Sequence, residues 1–304
     1  MLFRSHRPVI WVCHALTANA DVSDWWANIF GEGKLLDPTR YFIVCPNNIG
    51  SPYGSTSPIS ISPQTQQPYG ADFPRLSIRD MMRAHRLLAA HLGIERVHLL
   101  MGGSQGGQQA MEWAIEAPEE VENLLLLATN ARHSAWGIAF NEAQRMCLRA
   151  GGYNADALAA ARAVAMLSYR NYEMYSRTSR EGDEEKFMGF GASTYQQHQG
   201  DKLARRFDAH CYEVLSLAMD SHHVGRGRAG GIAAALAQIT ARTLVVGISS
   251  DLLFPPHEQA FLAEHIRHAQ FVCIDSPYGH DGFLTEGEQI IAIAQNWLHQ
   301  YETV

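Results

Sequence analysis

Lysine is scarce in this chain of 304 residues, and the arginines are scattered rather than clustered. No run of positive charge stands out and the formal net charge is −7, so the electrostatic footprint of a nucleic-acid binder is missing. An acidic chain can still hold an anionic ligand through a local basic patch. No CxxC pair occurs, and the five cysteines (Cys13, Cys45, Cys147, Cys211 and Cys273) are odd in number and widely spaced. This argues against a disulfide framework and for reduced thiols in the cytoplasm. Cys13, Cys45 and Cys273 lie in apolar runs, where a buried thiol serves as a small hydrophobe. Long hydrophobic runs are missing too. Nothing approaches a membrane span, and "MLFRSHRPVIWVCHAL" holds too short an apolar run for a signal peptide. Internal repeats are absent.

With 46% hydrophobic residues, the chain can bury one large core, as a single domain or a domain with a substantial insertion. Strand-like segments recur at 8–13, 41–45, 96–101, 121–128, 242–248 and 270–275. Most are continuous apolar runs without alternation, which predicts strands of a parallel sheet buried on both faces. Helical patterns separate several of them. "SIRDMMRAHRLLAAHL" opens with Ser77 and Asp80 at capping-box spacing and gathers Ile78, Met81, Met82, Leu88, Ala89 and Leu92 on one face. The alternation reads as α/β, a mostly parallel sheet with helices on both faces. It breaks between residues 131 and 237, where helical runs such as "ALAAARAVAMLSYR" replace strands. The expected organisation is a core of residues 1–130 and 238–304 with a helical lid, 131–237, inserted between two strands. A second irregularity is a Gly/Ser/Pro-rich loop from 46 to 76, of a length that is usually functional.

"LLMGGSQGGQQAMEWA" carries the chemistry. Gly102-Gly103-Ser104-Gln105-Gly106 matches G-x-S-x-G, with a strand before it and a helix after it. A serine on such a turn takes an unfavourable backbone angle, so its neighbours must lack side chains. The turn also sets the hydroxyl at a helix N-terminus, where amide N–H groups favour an oxyanion. A glycine-rich turn that merely packs tightly is the alternative; a phosphate loop fits less well, because no GK[ST] follows. A nucleophilic serine needs a base, and the base needs an orienting acid. Sites of this kind run Ser, acid, His along the chain. Asp251 follows the strand at 242–248, and His280 lies in a glycine-flanked loop after the strand at 270–275. Asp251 could instead cap the following helix, with Asp275 as the rival acid, and His280 could be an ordinary loop residue. The oxyanion hole is expected from the N–H groups of Gln105 and of Leu16, in the loop "CHALTAN". Asp220, His222 and His223 only faintly suggest a metal cluster and read as solvated histidines, so no metal is expected. His85 and His91 read as structural, and Met166 and Leu167 as lid packing.

Taken jointly, "CHALTAN", "IGSPYGSTSP", "YGADFPRLSIRDMMRAHRLL", "GGSQGGQQAMEWA", "ATNARHSAWGIAFNEAQR", "LSYR", "YQQHQGDKLARRFDAHCY", "VVGISSDLLFPPHEQ" and "YGHDGF" span nearly the whole chain. The chain resembles the homoserine O-acetyltransferase family of α/β-hydrolase-fold acyltransferases. "GSPYGSTSP" and "ARHSAW" look most like the branch that includes the fungal enzymes. The resemblance implies the α/β-hydrolase fold and a ping-pong reaction in methionine biosynthesis. Ser104 would take an acetyl group from the co-substrate acetyl-CoA and pass it to the hydroxyl of L-homoserine, with no resident cofactor. His280 would be the base, and Asp251 would orient it. The family's lid arginine and the aspartate after its catalytic histidine map onto Arg170 and Asp281 as the acceptor's binding pair. A homodimer through the lid is also implied. Gln105 stands where the family usually has Met. Relatives also carry an N-terminal hairpin before the first strand, so this chain is either truncated or has a shorter sheet. A hydrolase such as an esterase, a non-catalytic binding protein of the same fold, a serine acceptor and a succinyl-CoA donor are the rival readings.

Overall fold

The computed structural model describes residues 7–300. Six strands, β1 (Val9–Cys13), β2 (Phe42–Val44), β3 (Val97–Gly103), β4 (Val121–Leu127), β5 (Arg242–Ile248) and β6 (Ala269–Ile274), form one sheet in the order β2-β1-β3-β4-β5-β6. Every neighbouring pair is parallel. The register explains the unbroken apolar runs. Val12, Met101, Leu125 and Leu244 form one row across the sheet. The adjacent row of Trp11, Leu100 and Leu124 points to the other face. Both rows are fully buried. The first face packs on Trp26, Ile29, Ile290 and Trp297; the second packs on Met82, Trp113 and Leu262. A strand covered on both faces has no solvent side to mark with polar residues. Truncating a buried leucine of either row to alanine costs roughly 2–5 kcal/mol.

The covering helices are α1 (Val22–Trp25), α2 (Ile78–Leu92), α3 (Gln105–Glu116), α10 (Pro256–His265), α11 (Gly282–Thr285) and α12 (Gly287–His299). In α2 the capping box forms as its spacing predicts: Ser77 accepts from the Asp80 amide while the Asp80 carboxylate accepts from the Ser77 amide. Its C-terminus closes at Gly93, in the left-handed region at φ 75°. Between β4 and β5 come six consecutive helices: α4 (Ala135–Ala150), α5 (Ala155–Tyr169), α6 (Tyr172–Thr178), α7 (Gly191–Ala204), α8 (Ala209–Asp220) and α9 (Gly231–Leu236). Side chains of Ser134, Asn154, Asn171 and Asp208 cap four of them. This insertion sits over the strand exits through a third apolar cluster that includes Leu16, Met81, Leu158, Tyr212 and Leu215.

Three expectations need correction. The last strand is not buried on both faces: β6 is an edge strand and leaves Gln270, Phe271 and Cys273 exposed, so Cys273 is not a core thiol. Nor is His222 solvated. It is buried, and its Nε2 donates to the Asn130 carbonyl at 2.9 Å. Leu167 also projects outward, whereas Met166 is packed inside.

Candidate active site

β3 runs straight into α3 through Ser104, whose backbone lies at φ 55° and ψ −126°. An L residue holds such angles only when its surroundings impose them. Here the Ser104 amide donates to Leu127 O at 3.0 Å, and the Thr129 hydroxyl donates to Ser104 O at 2.9 Å. The flanking glycines are a matter of space. A Cβ on Gly106 would stand 2.0 Å from the Cys13 carbonyl oxygen, and one on Gly103 would stand 2.4 Å from the Phe283 ring. The elbow is thus pressed between the exit of β1 and the residues that follow β6. The Ser104 side chain caps nothing and remains free for chemistry.

His280 stands in a single 3-10 turn, Gly279–Asp281, after β6. Its Nδ1 lies 2.7 Å from Asp251 Oδ2. The other oxygen of Asp251 accepts from the Leu253 and Phe254 amides at 2.8 and 2.9 Å, which locks the carboxylate's rotation. An aspartate held in this way accepts the Nδ1 proton and leaves Nε2 as the basic nitrogen. Both side chains are buried. The imidazole stacks on Phe254, with ring centroids 4.9 Å apart, and meets Phe283 edge-on at 5.2 Å. Phe283 therefore touches both the imidazole and the elbow. Asp275, the rival acid, is exposed and accepts a hydrogen bond from the Ser249 hydroxyl.

The loop after β1 is shaped by a histidine that sequence reasoning passed over. His14 is buried; its Nε2 accepts from the Asn48 amide at 3.1 Å, so its Nδ1 carries the proton and donates to Ala15 O at 2.8 Å. Burial lowers its pKa to about 4 and keeps it neutral. Leu16 follows, its side chain packed beneath the insertion. The amide N–H groups of Leu16 and of Gln105, the first residue of α3, have no hydrogen-bond partner among the described residues. Two unspent donors beside the elbow are what an oxyanion requires. The Gln105 side chain is fully buried, and its amide nitrogen donates to Leu215 O at 3.0 Å, tying the elbow to α8.

The end of α5 reaches the same place. Gly279, at φ 64°, brings the β6 loop so close that a Cβ there would lie 2.8 Å from Tyr169 O. The Tyr169 ring sits 5.8 Å from that of His280. Arg170, the C-cap of α5, places Nε 2.8 Å from Asp281 Oδ2. Its two terminal amino groups make no hydrogen bond among the described residues. Tyr175 lies within electrostatic reach of this pair, has an unpartnered buried hydroxyl, and is pushed up to about 12 by burial.

A model of the α/β hydrolase fold matches residues 8–287. The homoserine O-acetyltransferase of Chlorobaculum parvum (strain DSM 263 / NCIMB 8327) is 46% identical, over 96% of this chain and 85% of that protein. The chain belongs to the homoserine O-acetyltransferases. The crystal structure of homoserine O-acetyltransferase from Staphylococcus aureus superposes with a TM-score of 0.81 at 32% identity, covering 100% of this chain and 87% of that one. Esterase E22 shares the fold alone, with a TM-score of 0.86 at 23% identity, over 98% of this chain and 91% of that one.

In this homoserine O-acetyltransferase family member Asp251 and His280 are in contact, Phe283 joins the imidazole to the elbow that carries Ser104 and Gln105, Arg170 and Asp281 pair directly after His280, and Leu16 follows the exit of β1. Asp220, His222 and His223 do not join the site as a cluster. Asp220 pairs with Arg145 at 2.6 Å and accepts from Asn141, and no group able to hold a metal occurs among the described residues. His133 was not anticipated. It is buried, tilted against Phe254 at 5.6 Å, and lowered to about 4 chiefly by desolvation. Its only trace in the sequence is its place in "ARHSAW". Tyr169 had a plainer one, as the residue before Arg170.

Proposed function

We propose that this protein transfers the acetyl group of acetyl-CoA to the side-chain hydroxyl of L-homoserine through an acyl-serine intermediate. His280, oriented by Asp251, takes the Ser104 proton through Nε2 as the hydroxyl attacks the thioester carbonyl. The N–H groups of Leu16 and Gln105 receive the oxyanion, and the thiolate of CoA leaves with the proton from His280. In the second half-reaction His280 removes the proton of the homoserine hydroxyl as it attacks the acyl carbonyl; the acyl–Ser104 bond breaks, and Ser104 Oγ takes that proton back from His280 as the acetyl ester leaves. Arg170 and Asp281 hold the acceptor's carboxylate and ammonium groups, and the arginine's free terminal amino groups match a carboxylate as a two-pronged donor. The insertion, 131–237, serves as the lid that keeps water from the acyl-enzyme.

The observation that carries transfer over hydrolysis is the Arg170–Asp281 pair beside His280. A cation and an anion next to the base prepare the site for a zwitterion, which an esterase does not need. Stopped-flow release of CoA from acetyl-CoA, with and without homoserine, tests the reading. Homoserine should accelerate turnover, and no acceleration means a hydrolase. Two donors, acetyl-CoA and succinyl-CoA, against two acceptors, homoserine and serine, fix the specificity, which one methylene changes by only about 1–3 kcal/mol.

A homodimer through the lid is part of the proposal. Trp136, Met146, Leu167, Tyr172, Phe187 and Met188 are exposed on the insertion, an apolar surface that a second copy would cover. Light scattering after gel filtration should give twice the chain mass. The five unpaired cysteines support a cytoplasmic setting. Among the described residues no helix is long and apolar enough to cross a membrane.

A further inference from the structure

We propose that Thr129 is a positioning residue for the nucleophile, held in place from the first turn of α10. Ser104 sits at φ 55°, and its carbonyl accepts two hydrogen bonds. One comes from the Gln108 amide, as the opening bond of α3; the other comes from the Thr129 hydroxyl. Thr129 does not hold itself. Its own carbonyl accepts from Gln259 Nε2 at 2.6 Å. A parallel arm runs from the neighbouring residue. Glu258 Oε2 accepts from Asn130 Nδ2 at 2.9 Å, and Asn130 Oδ1 accepts from Gln108 Nε2 at 3.0 Å. Thr129, Asn130, Gln108 and Gln259 are all buried.

Both arms begin on adjacent residues of α10 and end on the two partners of the elbow's first helical bond, Ser104 and Gln108. The loop entering α10 also carries Asp251, which aims His280. One short segment, 251–259, therefore sets the direction of the base and the backbone of the serine together. Gln108 Oε1 and Gln259 Oε1 find no partner, so the network holds the elbow through the amide nitrogens of the two glutamines, and buried hydrogen bonds of this kind fix geometry. For chemistry that depends on a few tenths of an ångström between hydroxyl and imidazole, loss of the Thr129 bond should slow every step that uses Ser104, and leave acceptor binding alone.

This rests on reading Ser104 as the nucleophile. Thr129→Val removes the donor and keeps the branched shape packed on Gly107; Thr129→Ser keeps the donor. The rate of acetyl-Ser104 formation from p-nitrophenyl acetate, followed by burst kinetics and mass spectrometry, is read beside steady-state transfer from acetyl-CoA to homoserine. In Thr129→Val, acylation and kcat should both fall about tenfold, the rate equivalent of one hydrogen bond, with the homoserine KM unchanged. Thr129→Ser should recover most of the loss, and Gln259→Met should reproduce it. Wild-type acylation by Thr129→Val, or equal loss in Thr129→Ser, overturns the positioning role. If the valine variant does not fold, Gln259→Met decides: acylation at the wild-type rate overturns the role, and a selective fall in kcat supports it. Failure of the wild-type protein to acetylate Ser104 overturns the nucleophile reading instead.

Discussion

Arg170 Nε lies 2.8 Å from Asp281 Oδ2. One residue ends a helix of the insertion and the other follows His280 in the last strand's exit loop, so the pair forms only when insertion and sheet are docked. If it receives the acceptor, it should matter for the second half-reaction alone. Arg170→Ala and Asp281→Asn should still form the acetyl-enzyme from acetyl-CoA. Transfer to homoserine should fall about 10- to 100-fold, since losing a charge-assisted hydrogen bond costs roughly 1.5–3 kcal/mol. Single-turnover kinetics separates the two steps. Equal slowing of acylation by Arg170→Ala would assign the arginine to the CoA site or to the insertion's structure.

Ser104→Ala should leave the fold intact and lower transfer by as much as about six orders of magnitude, the scale seen when a serine nucleophile is removed. The wild-type protein incubated with acetyl-CoA alone should gain one acetyl group on the peptide containing Ser104. Acetylation elsewhere, or nowhere, rules out the covalent route.

Asp251→Asn should cost about three to four orders of magnitude in kcat: its Oδ1 stays bound to the Leu253 and Phe254 amides, so the NH2 group faces Nδ1 and stabilises the wrong tautomer. Asp275→Asn should leave kcat within about twofold, as among the described residues its exposed carboxylate hydrogen-bonds only to the Ser249 hydroxyl. Steady-state rates of the two variants at one pH make the comparison. A larger loss at Asp275 reverses the assignment.

Stability should fall on mild acidification. Desolvation lowers His14 and His133 to about 4 and His85 and His222 to about 3. Unfolded, each takes up its proton near its ordinary value, about 6.5. The stability they hold is present above that value and is lost as the pH drops toward 4, by about 1.4 kcal/mol per pH unit for each proton gained on unfolding. Glu258 has the opposite sign: burial raises it to about 7, so its contribution is present at low pH and lost as the pH rises toward 7. Urea unfolding at pH 7.5 and 5.0 should show the histidine effect, and Glu258→Gln should gain relative stability at pH 8 over pH 5. A flat profile between pH 5 and 7.5 would mean that the histidines are not held neutral.

The sequence by itself determined the sheet and the strand–serine–helix elbow. Unbroken apolar runs such as "NLLLLA", bounded by turn signals, read as strands buried on both faces, which held for β4 and failed for the edge strand β6, and G-x-S-x-G between strand and helix admits few backbone paths. These are local facts, set by sterics and burial within a few residues. Which side chains meet was decided by tertiary structure. Nothing in the order of residues distinguishes Asp251 from Asp275 as firmly as one 2.7 Å hydrogen bond does. Arg170 becomes a partner of Asp281 because Gly279 lets the β6 loop press against the end of α5. His222 looked solvated because its neighbours in the chain are polar, yet it is buried against Asn130. Cys273 looked buried because its neighbours are apolar, yet its strand has no partner on one side. Burial depends on what lies across space from a residue, and a residue's own neighbours in the chain do not carry that information.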